Sequence, residues 1–126
     1  MAAMTDNVIV MVTPPIEGDW IWSSQYNADV TDCETLLAAS TGKCHYIRKI
    51  IISCGTNSAT ISLGSGNAGA GLTLTYIGPI VFSASTSHPF VLDFGEKAMK
   101  VAVSTIFAID GVTAAPVWIM FEYKTV

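Results

Sequence analysis

Cys44-His45-Tyr46-Ile47-Arg48-Lys49-Ile50-Ile51-Ile52-Ser53-Cys54 is the stretch on which the fold turns. It opens on an aromatic residue and runs into three consecutive isoleucines, all of them side chains that favour an extended, pleated backbone. Its apolar residues near the end fall on both faces. That is the pattern of a central strand, or of one whose second face meets a neighbouring subunit. Gly55-Thr56-Asn57-Ser58 then turns the chain, and Ala59-Thr60-Ile61-Ser62-Leu63 alternates with Ala59, Ile61 and Leu63 on one side.

The same grammar extends to the carboxyl end. Gly64 to Gly71 reads as a flexible, glycine-rich loop, and Leu72-Thr73-Leu74-Thr75-Tyr76 alternates again. Gly78-Pro79 interrupts and re-aims the run into Ile80-Val81-Phe82, and Ser83 to His88 is a polar loop. Phe90-Val91-Leu92-Asp93-Phe94, Met99 to Val103, Thr105 to Ile109 and Val117 to Tyr123 read as further strands. Asp110-Gly111 is a hairpin signal between the last two. Cys33 to Ser40 fits a short helix capped by Asp32 or a strand; its shortness and the turn at Ser40-Thr41-Gly42-Lys43 favour the strand. About eight to ten short strands without a convincing helix predict an all-β fold, an antiparallel β-sandwich of jelly-roll-like connectivity. Alternation fills its core with Ile61, Leu63, Phe90, Leu92, Phe94, Ile119 and Phe121.

Residues 1–18 differ. Val8-Ile9-Val10-Met11-Val12 is β-prone and is closed by Thr13-Pro14-Pro15, whose prolines cannot donate ladder hydrogen bonds. This reads either as an extended N-terminal arm or as the first edge strand of the sandwich, with residues 19–126 forming a single domain.

Composition narrows the function. At 126 residues the chain suits one domain with its own core. It is 51% apolar and only 13% charged, where about 25% charged is usual. No run approaches the roughly 20 apolar residues of a membrane helix, so a membrane is not expected and the surplus apolar surface points to partner chains. A net charge of −4, with only Lys43, Arg48 and Lys49 clustered, argues against nucleic acid. The start Met1-Ala2-Ala3-Met4 has no basic residues and no long apolar run, and Cys33, Cys44 and Cys54 are an odd count. Both fit synthesis in a reducing cytoplasm.

Chemistry finds little footing. Cys44 and Cys54 stand at opposite ends of one strand, roughly 33 Å apart, and cannot share an ion. His88 with Ser83, Ser85 and Ser87 is a solvated loop before it is a hydrolase fragment, and Asp93, Glu96 and Asp110 each sit where a turn favours an acid. No metal, no cofactor and no catalytic residue is expected, and the chain does not read as an enzyme. The tryptophans remain: Trp20, Trp22, Tyr26 and Trp118 suit a buried or intersubunit position, or a sugar-stacking platform.

The order from Thr35-Leu36-Leu37-Ala38-Ala39 through Gly42-Lys43, Ile47–Ser53, Ala59–Leu63, Ile77-Gly78-Pro79-Ile80, Val91-Leu92-Asp93-Phe94 and Ala98-Met99-Lys100-Val101-Ala102 to Tyr123 resembles small β-sandwich modules in structural proteins of tailed bacteriophages. The resemblance covers about three quarters of the chain and is one of turns and strands, with no invariant functional motif. The tryptophan-bearing amino-terminal segment and the three cysteines depart from it. It implies a jelly-roll-like virion protein, a trimer that decorates or cements a capsid, made in the host cytoplasm and partnered by the major capsid protein or another virion protein. The expected interface residues are Val8, Ile9, Val10, Met11 and Val12 in the arm, with Ile50, Ile52, Trp118 and Met120 on the strands. The alternative, a carbohydrate- or receptor-binding tip of a tail fibre or spike, places Trp20, Trp22, Tyr26 and His88 against glycan.

Overall fold

In a computed structural model that describes residues 9–67, 69–84, 88–112 and 115–126, the chain forms ten strands and, among the described residues, no helix. They are β1 (Met11–Val12), β2 (Ile21–Asn27), β3 (Glu34–Leu37), β4 (His45–Ser53), β5 (Ala59–Asn67), β6 (Gly71–Phe82), β7 (Phe90–Asp93), β8 (Ala98–Lys100), β9 (Phe107–Gly111) and β10 (Val117–Thr125). All pair antiparallel in two sheets. The larger has six strands in the order β1-β8-β4-β10-β2, with β7 beside β8 on the same flank of β4; the smaller has four in the order β3-β9-β5-β6.

The two orders explain each other. Position by position, β2, β10, β4 and β7 of one sheet match β3, β9, β5 and β6 of the other, and each matched pair is consecutive in sequence. A double ribbon rolled up in this way is a jelly roll. The strand predicted from Cys33 to Ser40 is β3, an edge of the smaller sheet.

The core lies between the sheets. Ile47, Ile50 and Ile52 of β4, Ile61 and Leu63 of β5, Phe107 and Ile109 of β9 and Val117, Ile119 and Phe121 of β10 are buried together. Phe107 meets Phe121 edge-on across the two sheets, with ring centroids 5.5 Å apart. Phe90, Leu92 and Phe94, expected in this core, pack against its margin and are only partly buried.

Four expectations are corrected. Ile50 and Ile52 are 0% exposed and present nothing to a neighbour. The triple isoleucine alternates like any strand, so the outward member is Ile51, opposite Met120 and Val91. Second, Gly64 and Gly66 belong to a ladder, not to a loop: a Cβ on Gly64 would lie 2.0 Å from the Leu74 carbonyl oxygen, so β5 and β6 approach where no side chain fits. Third, Gly78-Pro79, a cis peptide, lies inside a continuous β6. Fourth, Asp110 and Gly111 pair with Ser62 and Ile61 within β9 and form no turn; Gly111 is needed because a Cβ would meet Val30 Cγ2 at 2.8 Å.

The amino-terminal segment is an edge strand of its own sheet. Met11 and Val12 pair with Met99 and Ala98 of β8. Ile9 and Val10 lie exposed ahead of it, and Val8 lies outside the described residues.

Candidate interaction surface

The outer face of the larger sheet is built in rows, because residues directly opposite in antiparallel strands share a face. One row runs Tyr26, Trp118, Ser53. The next runs Ser24, Met120, Ile51, Val91. A third runs Trp22, Glu122, Lys49, Asp93. A fourth holds Lys124, Tyr46 and Lys100.

Two halves of this face differ. The fourth row is roofed by the segment that links β1 to β2. Cys44, Tyr46 and Ala98 form a second small apolar cluster there, packed against Val12, Trp20 and Val126. Lys124, 4% exposed, donates hydrogen bonds from Nζ to the carbonyl oxygens of Pro15 (2.8 Å), Glu17 (3.3 Å) and Gly18 (3.4 Å). Trp20 receives the Arg48 guanidinium at 4.1 Å and the Lys124 ammonium at 4.7 Å from its ring centroid. Trp20 is thus a structural anchor. The aromatic surface that a sugar would need is engaged by cations, which removes it from the expected glycan contacts.

The first two rows carry no roof among the described residues. Trp118 is 46% and Tyr26 57% exposed, with ring centroids 5.0 Å apart. Met120 and Val91 are also exposed beside them, and Ile51 is half-buried. The third row supplies a charged border. Arg48 donates to Glu122 through Nε (2.5 Å) and Nη2 (3.1 Å). This hydrogen bonding holds the Glu122 carboxyl below its ordinary range and the Arg48 guanidinium above its own. Lys49 and Asp93 pair at 3.5 Å in solvent, where such a pair contributes little. Asp93 is held below its ordinary range first by the Gly95 backbone N–H and only then by Lys49. An apolar centre with a polar, paired rim is the anatomy of a protein contact surface. The face is open: no pocket indents the described residues.

Of the residues expected from sequence, Trp22, Tyr26, Trp118 and Met120 come together here. His88 does not: it is exposed just ahead of β7, a strand separated from β10 by β4. Ile51 and Val91 were missed, although strict alternation through Ile50-Ile51-Ile52 would have singled out Ile51. The thiols of Cys33, Cys44 and Cys54 are free and buried; burial pushes those of Cys33 and Cys54 up.

No protein-family model matches the chain, and no curated protein matches it. Among solved structures it is similar to a chain of the virus-like particle of extra small virus from the giant freshwater prawn Macrobrachium rosenbergii, at 13% identity and a TM-score of 0.39, over 99% of this chain and 93% of that one. It is also similar to a chain of Bacillus endospore appendages, described as a family of disulfide-linked pili, at 14% identity and a TM-score of 0.32, over 98% of this chain and 96% of that one. Scores this low establish no common ancestry, and neither likeness assigns this chain a role.

Proposed function

We propose that the chain is a non-enzymatic structural subunit of a virion, which works by associating with copies of itself and with a shell protein. The observation that carries this reading is the two unroofed rows, Tyr26 and Trp118 in one and Met120, Ile51 and Val91 in the next, on a chain only 13% charged. The jelly roll alone does not choose, since it serves in capsids, lectins and cupins alike. The surface chemistry and the resemblance to tailed-bacteriophage modules favour a capsid decoration or cement protein. On that reading it is a trimer docked on the major capsid protein after synthesis in the host cytoplasm. Ile9 and Val10, exposed ahead of β1, would then contact a neighbour, with strand pairing carried by the outer edge of this segment because the Val10 carbonyl already accepts from Lys100 N–H.

Light scattering coupled to size exclusion tests the reading. An oligomer at micromolar concentration that is weakened by Trp118→Ala is the expected result; a monomer overturns it. The exposed Tyr26–Trp118 pair also favours a second reading, a carbohydrate-binding tip. That reading requires a glycan-array signal lost in Tyr26→Ala at unchanged oligomeric mass.

A further inference from the structure

A sheet edge is a row of unpaired backbone donors and acceptors, and proteins blunt such edges with short strands, charges, prolines or bulges. Four of the five edges here are blunted in this way. β7, whose outer side is a further edge of the larger sheet, has only four residues, follows Pro89 and ends on Asp93. β1 has two residues and runs into Pro14-Pro15. β3 has four, opens on Glu34 and is bulged between Thr35 and Leu37. β6 is long, but it carries Pro79 and three register shifts.

β2 is different. Its seven residues, Ile21-Trp22-Ser23-Ser24-Gln25-Tyr26-Asn27, hold no charge and no proline. Its register with β10 is unbroken from Ile21 to Asn27, so the strand is regular along its whole length. It ends the larger sheet, and among the described residues its outer edge has no ladder partner.

We infer that β2 pairs antiparallel with β2 of a second copy of this chain, about a two-fold axis through Ser24, joining the two larger sheets into one. The register follows from the side chains. An axis normal to the sheet must pass through a residue, because only then do opposed residues share a face. Centred on Ser24, it sets Trp22 of each copy opposite Tyr26 of the other, on the exposed outer face. Aromatic cross-strand pairs are among the favourable ones. Tyr26 already touches Trp118, so the Tyr26–Trp118 row of each copy gains the Trp22 ring of the other, and the two Ser24–Met120–Ile51–Val91 rows meet end to end at the axis. Centred on Ser23 or Gln25, the same strand opposes neither aromatic with the other. Asp19 and Asp29 would face each other only beyond the strand ends, which limits the ladder to the seven residues between them. The partner is a second copy of the chain because this strand is complementary to itself.

The inference rests on the reading that the chain self-associates, and the test separates the two. A two-fold contact has no place inside a three-fold ring, so in a trimer β2 would join one trimer to the next. Sedimentation velocity compares the wild type with Ser24→Lys, which sets two like charges opposite each other at the axis. Ser24 is exposed, so the melting temperature should hold while association weakens about fivefold or more. Under mild oxidation, Ser24→Cys should yield a disulfide-linked pair, while Thr35→Cys on the exposed face of β3 should not. A wild type that associates, with Ser24→Lys associating equally well and Ser24→Cys failing to cross-link, overturns the β2 contact and leaves self-association to another surface. A monomeric wild type removes both.

Discussion

His45 is buried where β4 begins and β10 ends, and its ring is bonded at both nitrogens. Nε2 lies 2.8 Å from the Ala38 carbonyl oxygen, which can only accept, so Nε2 carries the proton and Nδ1 accepts from the Thr125 hydroxyl at 2.7 Å. The neutral ring is therefore satisfied, and burial lowers its pKa below the ordinary value of 6.5. In the unfolded chain the same ring takes up a proton near about pH 6.5. Stability from this group is thus complete above that pH and is lost as pH falls toward the lowered folded value, ahead of the carboxylates. The urea midpoint should drop between about pH 7.5 and about pH 5.5, and His45→Gln should flatten that drop. An unchanged slope in the variant would exclude His45 as its source. Gly64 carries the second prediction at this scale. Its missing Cβ lets the Leu74 carbonyl approach to a point 2.0 Å from where that atom would be, and backbone cannot rotate away as a side chain can. Gly64→Ala should cost about 3 kcal/mol or more. Gly42→Ala, at φ 75° with nothing within 4 Å, should cost about 1–2 kcal/mol, both read by chemical denaturation.

The segment between β1 and β2 is held by Lys124 and Trp20 more than by its short ladder. Three backbone carbonyls and an indole surround the ammonium, and charged donors make the stronger hydrogen bonds. Lys124→Met keeps much of the side-chain length and removes the donor. Hydrogen exchange across residues 9–20 should then quicken about tenfold or more, while β4 and β10 amides stay protected. Equal loosening of all three would mean that Lys124 supports the whole sandwich. Nothing in the chain's local pattern announces this latch. Lys124 is a lone cation near the carboxyl end, and its partners stand more than a hundred residues earlier. The strands were legible for the opposite reason: Ile61 and Leu63, or Ile119 and Phe121, declare their face by local alternation. Gly64, Gly66 and Gly111 misled because a glycine demanded by close packing looks in sequence like a glycine demanded by a turn. Trp22, Tyr26 and Trp118 were legible as surplus aromatics. Whether they stay uncovered depended on where the amino-terminal segment lay; with Trp20 in it, that segment covers the Tyr46 row and leaves all three exposed.

At the scale of the molecule, a sandwich of this size has two outer faces to present to water, and charge is how most small domains do so. Here the charges are few, and on the larger sheet they lie in the third and fourth rows, with Glu122, Lys49 and Asp93 of the third engaged with neighbours. The apolar rows beside them therefore have little electrostatic character, and association through them should bear a hydrophobic signature. Calorimetric dilution should show a negative heat-capacity change on association. The affinity should change less than about threefold between low and high salt, because no opposed charge fields need screening. Trp118→Ala removes the largest exposed side chain at the centre of the rows and should weaken association by about thirtyfold, the effect of a central aromatic anchor. Its cost to folding should be small, since the ring packs mainly on Tyr26 at the surface and the inward Val117 and Ile119 are untouched. Steep salt dependence with an indifferent Trp118→Ala would move the contact away from this face to the charged row and the loops beyond it.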